Sequence, residues 1–350
     1  MPDRIRLVAG LALSAVCGGM ACANTKFAYA PEELKAEVAR RAPGLPAADV
    51  VAPLVIDEAR VAAVSNAIAA QGSAFERTRA LLVQLFAQHG FHLRYAWGVT
   101  TGAEETLRRS EGNCLALATV FVGLARAAGL HAVFIDASTR VHETRDWNNW
   151  TVNTGHVTAM VIAGPERIGL DFGQIGTIVG YRILDDIEAL AHFYNNRGFE
   201  QLEEAKERDE SAWLQAARDF RIAVQIAPRF ARAWNNLGIA AAHLGRQDEA
   251  IEHYRTAIES DPELAAPRNN LGSLYFARGR IAEALAELDA ASRLEPQGSH
   301  IHYNLALVRL RAGDREGAAE ALRRAIRLRG VFPEAQSALD GLGAEAGRPR

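Results

Sequence analysis

The sequence predicts a mixed helix-and-strand domain followed by an all-helical repeat array. Two stretches carry that expectation. Glu111-Gly112-Asn113-Cys114 ends a small loop, and the apolar run 115–124 behind it reads as a buried helix with a cysteine on its first turn. From residue 231 onward, apolar and small residues recur with a 34-residue period. A chain of 350 residues, 49% hydrophobic and 23% charged, is long enough for two soluble units, each with its own core.

Residues 1–23 read as a secretory signal. Arg4 and Arg6 precede an apolar stretch, 7–20, that is short for a membrane span. Ala21-Cys22-Ala23 is a small-residue cleavage site, whereas Gly19-Met20-Ala21-Cys22 is an imperfect lipobox that would instead place a lipid anchor on Cys22. Both routes predict an exported, periplasmic protein. No later segment is apolar and long enough to span a bilayer. The formal net charge of -3, from 39 Lys and Arg against 42 Asp and Glu, has no long basic run, so nucleic acid is not an expected partner.

Residues 24–74 form a helical N-terminal segment. Pro31-Glu32-Glu33-Leu34 starts a short helix, and Arg41-Ala42-Pro43-Gly44-Leu45-Pro46 breaks it. Apolar residues at three- and four-residue spacing predict further helices over 56–70 and 75–88. Residues 90–97 are a short extended link, with His92 on the surface, and 102–109 a brief helix.

Residues 75–185 make the core. The helix from Cys114 is apolar on nearly every face and stops at Gly129. His131-Ala132-Val133-Phe134-Ile135-Asp136 is a strand. Residues 138–155 show no period and read as a long loop, in which Trp147 and Trp150 either bind something or cover the core. Segments 156–162 and 167–172 are two strands joined by the turn signal Ala163-Gly164-Pro165-Glu166. A loop centred between Ala163 and Gly164 would set His156 directly opposite Asp171, close enough for imidazole and carboxylate to meet.

Residues 186–342 are repeats: an irregular unit at 186–230, then 231–264, 265–298 and 299–332. Trp234, Leu237, Gly238, Ala250, Tyr254, Ala257 and Pro262 recur as Arg268, Leu271, Gly272, Ala284, Leu288, Ala291 and Pro296, and again as His302, Leu305, Ala306, Ala318, Leu322, Ala325 and Gly330. This is the period and pattern of tetratricopeptide repeats, in which small residues sit where paired helices touch. Tyr194-Asn195-Asn196-Arg197-Gly198 echoes Trp234-Asn235-Asn236-Leu237-Gly238 in the irregular unit. Asn236, Asn270 and Asn304 read as hydrogen-bonding residues between helices. Arg232, Asn235, Asn269, His300 and Tyr303 read as residues lining a groove for a protein partner. Residues 333–342 predict a short capping helix, and 343–350 a frayed tail.

The chemistry converges on Cys114. Export leaves it the sole free thiol, since Cys17 and Cys22 are removed or, for Cys22, lipidated; an unpaired cysteine in an oxidising compartment is either a small buried hydrophobe or a reactive group. A helix N-terminus stabilises a thiolate and leaves backbone N–H groups to hold an oxyanion. An imidazole can take the thiol proton, and a carboxylate can fix the imidazole. A metal reading built on His131, His142, His156 and Cys114 fits no compact zinc motif, and no cofactor is expected.

Gly112-Asn113-Cys114 opening a helix that closes with Ala127-Ala128-Gly129-Leu130, then His156 at a strand start and Leu170-Asp171 on its neighbour, resembles the transglutaminase-like core of papain-type cysteine enzymes. With the repeats, the chain resembles bacterial transglutaminase-like proteins carrying tetratricopeptide repeats. The resemblance implies an α+β fold, with a nucleophile helix packed on an antiparallel sheet that bears base and acid. It implies Cys114, His156 and Asp171 as a triad acting on a protein or peptide amide, with Trp97, Tyr95 or Asn113 as second oxyanion donor beside the Cys114 N–H. Val157-Thr158-Ala159-Met160 stands where many members carry an aromatic. The rival expectation is a non-catalytic scaffold whose repeats do the binding.

Overall fold

The computed structural model describes residues 6–11, 27–45, 50–137, 144–147, 150–153, 156–172, 180–204 and 209–346. The chain divides into two compact units: Met1–Glu143 with Thr154–Pro228, and Thr144–Asn153 with Arg229–Arg350.

In the first unit, β1 (Arg6–Leu11) is an edge strand drawn from the stretch read as a signal. The helices α1 (Pro31–Arg41), α2 (Glu58–Ala69) and α3 (Ala74–Phe86) follow. Their starts are written in the sequence: Pro31 opens α1, the Asp57 carboxylate accepts from the Ala59 and Arg60 N–H groups, and Ser73 with Glu76 forms a capping box on α3. A two-stranded parallel pair, β2 (Arg94–Tyr95) and β3 (Glu111–Gly112), brackets α4 (Ala103–Arg109). Next comes α5 (Cys114–Ala127), buried on nearly every side, which ends where Gly129 takes φ +75°.

The chain continues through β4 (Ala132–Asp136), β5 (Thr144–Trp147), β6 (Trp150–Asn153), β7 (Val157–Ala163), β8 (Glu166–Asp171) and β9 (Arg182–Leu184). One five-stranded sheet runs β1-β8-β7-β4-β9, every pairing antiparallel. Helix α5 packs on β4 and β7, and Phe172 stacks on Phe86 at 5.8 Å and meets Phe121 at 6.3 Å. This is the α+β arrangement.

The β7–β8 register differs from the expected one. Ala163 pairs with Glu166, so the loop is Gly164-Pro165, with Gly164 at φ +60° in the first central position, the glycine-first order of a two-residue hairpin turn. Moving the turn centre by one residue moves every partner by two. The face is kept, and His156 becomes a diagonal instead of a direct neighbour of Asp171.

Helices α6 (Asp186–Glu204) and α7 (Glu210–Ile226) pair through Gly198, whose absent Cβ would meet the Phe220 ring at 2.8 Å. This irregular repeat belongs to the first unit. Arg126 and the Tyr29 N–H reach Asp186, and the Val51 N–H donates to the Tyr194 hydroxyl.

The second unit contains α8 (Ala231–His243), α9 (Gln247–Ser260), α10 (Ala265–Ala277), α11 (Ile281–Leu294), α12 (Ser299–Arg311), α13 (Arg315–Arg329) and α14 (Pro333–Ala346). Helices pair within each repeat as the period requires: a Cβ on Gly238 would lie 2.6 Å from Tyr254, and one on Gly272 2.7 Å from Leu288. The capping helix is longer than expected and reaches Ala346. Its Ala335, with Phe332 just before the helix, packs with Ala321, Leu322 and Ala325.

Segment 144–153 is not a bare loop. β5 and β6 form an antiparallel hairpin with Trp147 paired to Trp150, and β6 lies against α8 and α10. Each strand has four residues, too few for a period to show, and only the Asn148-Asn149 pair between them carries a turn signal.

Candidate active site

The site begins at the end of α5. Asn113 is the N-cap: its side-chain oxygen accepts from the Ala116 N–H at 3.0 Å, which turns the chain into the helix and puts Cys114 at its first position. Asn113 is 6% exposed and Cys114 5%. The amide nitrogen of Asn113 donates to the Thr100 hydroxyl at 2.6 Å and to Glu200 Oε1 at 3.3 Å. Thr100 and Glu200 thus sit together on one side of the Asn113 amide nitrogen.

His156 precedes β7, its carbonyl accepting from the Ala137 N–H at the end of β4. Its Nε2 lies 3.5 Å from Asp171 Oδ1, with both side chains at most 3% exposed. The Nδ1 atom is on the opposite side of that ring. The hydroxyl of Thr158, on the strand next to β8, donates to the Leu170 carbonyl and ties the two strands together beside the pair. Diagonal placement thus still brings imidazole and carboxylate together.

A narrow pocket opens at Cys114. Its wall is Trp97, Gly98, Asn113, Asn196, Phe199, Glu200 and Glu203. The Trp97 indole N–H donates to Glu203 at 3.3 Å. Tyr95, in β2, is half-exposed and does not line this pocket. Four of the wall residues come from α6, a helix that sequence reading assigns to the repeats through the Tyr194-Asn195-Asn196 echo. Sequence reading missed Glu200 and Glu203, since their partners lie about 100 residues away along the chain.

The side chains of Trp147 and Trp150 lie outside the described residues, and so does His142. In the repeats, Asn235 and Asn269 are fully buried and do not line an open groove. Asn270 donates to Asn235 at 2.8 Å and Asn304 to Asn269 at 3.0 Å, so the same offset pairs the first helices of adjacent repeats. Tyr303 packs against Phe332, ring centroids 5.0 Å apart, which turns it toward the capping segment. Arg232 and His300 are half-buried.

Residues 62–166 match the model of the transglutaminase-like superfamily, and 231–264 and 269–342 match tetratricopeptide repeat models. The chain carries a transglutaminase-like domain followed by tetratricopeptide repeats. The matched part of the transglutaminase-like domain contains Cys114 and His156 and ends before Asp171 and α6. Solved structures similar to this chain include that of Pseudomonas aeruginosa PilF, 27% identical over 45% of this chain and 68% of that one with a TM-score of 0.41. MamA is 23% identical over 40% of this chain and 82% of that one, TM-score 0.37. YrrB, a tetratricopeptide protein with an unusual peptide-binding site, is 22% identical over 44% of this chain and 75% of that one, TM-score 0.36. A comparison with curated proteins gives no match. Among the described residues no helix is long and apolar enough to cross a membrane.

Proposed function

We propose that this protein is an exported cysteine hydrolase or acyl-transferase acting on protein or peptide amides, with Cys114 as nucleophile, His156 as base and Asp171 as the acid that orients it. The observation that carries the reading is the buried 3.5 Å approach of His156 Nε2 to Asp171, on the sheet against which the Cys114 helix packs.

The chemistry follows from the two sides of one ring. With Nε2 on the Asp171 side, Nδ1 is left to accept the Cys114 proton, and the carboxylate stabilises the imidazolium that forms. The sulfur attacks the carbonyl carbon, and the oxyanion forms against the Cys114 backbone N–H at the helix N-terminus. The imidazolium returns its proton to the leaving amine, giving a thioester. Water then releases an acid, or an amine takes the acyl group. Trp97 borders the pocket through which either would approach.

The repeats recruit a protein partner, a role supported by the repeat match. Export is supported by the N-terminal charge, apolar run and small-residue site. Cleavage there would remove β1 and leave β8 at the sheet edge. The mass of the mature chain checks this: a start at Asn24, or a lipidated Cys22, is the expected result, and an intact N-terminus overturns it.

The catalytic reading is tested by alkylating Cys114 in the native protein across pH. Rapid labelling that His156→Ala abolishes is expected. Labelling seen only after denaturation, and unchanged by His156→Ala, would instead leave a scaffold that binds through its repeats.

A further inference from the structure

Helix α6 lies outside the matched transglutaminase-like segment, yet it supplies a carboxylate to the loop that carries the cysteine. Glu200 Oε2 accepts from the Thr100 N–H at 3.0 Å. Glu200 Oε1 accepts from the Thr100 hydroxyl at 2.5 Å and from the Asn113 amide at 3.3 Å. The Asn113 amide also donates to that same hydroxyl, so Thr100, Asn113 and Glu200 close a triangle. The Asn113 backbone is tied into the same loop, its N–H donating to the Val99 carbonyl at 2.9 Å. Charge-assisted hydrogen bonds of this kind are short and directional.

We propose that Glu200 is a positioning residue for Cys114: it fixes the Asn113 cap, and through it the first turn of α5, so that the thiol is held toward His156. The inference rests on the triad reading above. Glu200 has geometric reasons for this role that its neighbours on α6 lack. Asn196 and Phe199 line the pocket, but Glu200 bonds to both the cap residue and the loop before it. The bonds are made by an acceptor-only group to three donors, so no other residue type of that length satisfies all three. The first helix of the irregular repeat thereby completes the site, and a core ending at residue 185 would lack the carboxylate that joins the cap to Thr100.

The test is the rate of Cys114 alkylation by iodoacetamide in the full chain, at about pH 6 and about pH 9.5, for wild type, Glu200→Gln, Glu200→Ala and His156→Ala. At the lower pH a free thiol is mostly protonated, and one whose proton has passed to an imidazole reacts; at the higher pH any accessible thiol reacts. Glu200→Ala is expected to slow the reaction about tenfold at the lower pH and less than twofold at the higher, because misplacement breaks the proton transfer and leaves access unchanged. Glu200→Gln, whose amide oxygen still accepts from Thr100 N–H, falls between. A merely structural role would move both rates together through exposure of the buried thiol.

Hydrogen exchange over 99–116 gives a second measurement, with faster exchange expected in Glu200→Ala. Wild-type rates and wild-type exchange in both Glu200 variants, with His156→Ala slow, overturn the positioning role and leave the triad. A His156→Ala rate equal to wild type overturns the triad and the proposal with it.

Discussion

His156 Nε2 sits 3.5 Å from Asp171 Oδ1, and neither side chain is more than 3% exposed. In water such a pair contributes little; enclosed, the carboxylate selects the imidazole tautomer and stabilises its cation. Asp171→Ala should therefore slow the Cys114 reaction at neutral pH on the order of 100-fold. Asp171→Asn should fall between, since it keeps a polar oxygen of the same reach facing the imidazole but carries no charge. Equal rates in all three proteins would remove Asp171 from the mechanism.

What could be read beforehand, and what could not, separates by distance along the chain. The α5 helix, its stop at Gly129 and the fit of Gly238 to Tyr254 express local periodicity, and a period is visible in one sequence. The β7–β8 hairpin was visible as well, but its register hangs on which residue takes the left-handed turn position; Gly164 and Pro165 in the centre move Asp171 from directly across His156 to the diagonal. Glu200 was invisible: nothing near it in sequence signals that Thr100 and Asn113 await a carboxylate. Sequence alone gives Asn235 and Asn236 separate roles, because adjacent helical positions point to different faces. In the stacked array Asn235 accepts from Asn270 of the next repeat and donates to Asn236 beside it.

The α6–α7 pairing depends on a second buried carboxylate. Asp219, 3% exposed, accepts from Arg197 Nε at 2.7 Å and Nη2 at 2.5 Å, and from Gln201 at 3.1 Å. Arg197→Ala would leave that charge with Gln201 as its one remaining partner among these and should destabilise the first unit by about 3 kcal/mol. Arg197→Lys should recover only part, because an ammonium does not reproduce the two-pronged contact. Thermal unfolding followed by tryptophan fluorescence reads the order. An alanine variant as stable as wild type would mean the pair is replaceable by solvent.

Two glycines in the repeats should respond to alanine with opposite signs. In an open helix interior, Gly→Ala gains about 1 kcal/mol. Gly341, in α14, has nothing within 4 Å of an added Cβ, so Gly341→Ala should be neutral or stabilising. At Gly238 the Cβ would stand 2.6 Å from a fully buried Tyr254 ring, and overpacking of that kind costs about 1–3 kcal/mol. Gly238→Ala should therefore lower the unfolding temperature while Gly341→Ala does not. A gain at both positions would show that the Tyr254 ring yields.

At the start of α6, Asp185 pulls stability the other way. Its carboxylate accepts from the Glu188 N–H at 2.7 Å, and its own N–H donates to Glu188 Oε2 at 3.2 Å, a capping box. Burial pushes its acid range upward; the Glu188 N–H opposes this, the Glu188 charge adds to it, and Arg41 opposes it. A carboxyl whose folded-state affinity for a proton is raised contributes stability that is fully present below its unfolded value and is lost as pH rises through its folded value. Asparagine keeps the cap oxygen and drops the charge. Asp185→Asn should thus be no less stable than wild type at neutral pH, with its advantage appearing as pH rises through and above the ordinary carboxylate range. Thermal unfolding at several pH values checks both points. A variant that is less stable at neutral pH, by a margin that grows with pH, would mean that the charge at the helix start outweighs the cost of burying it.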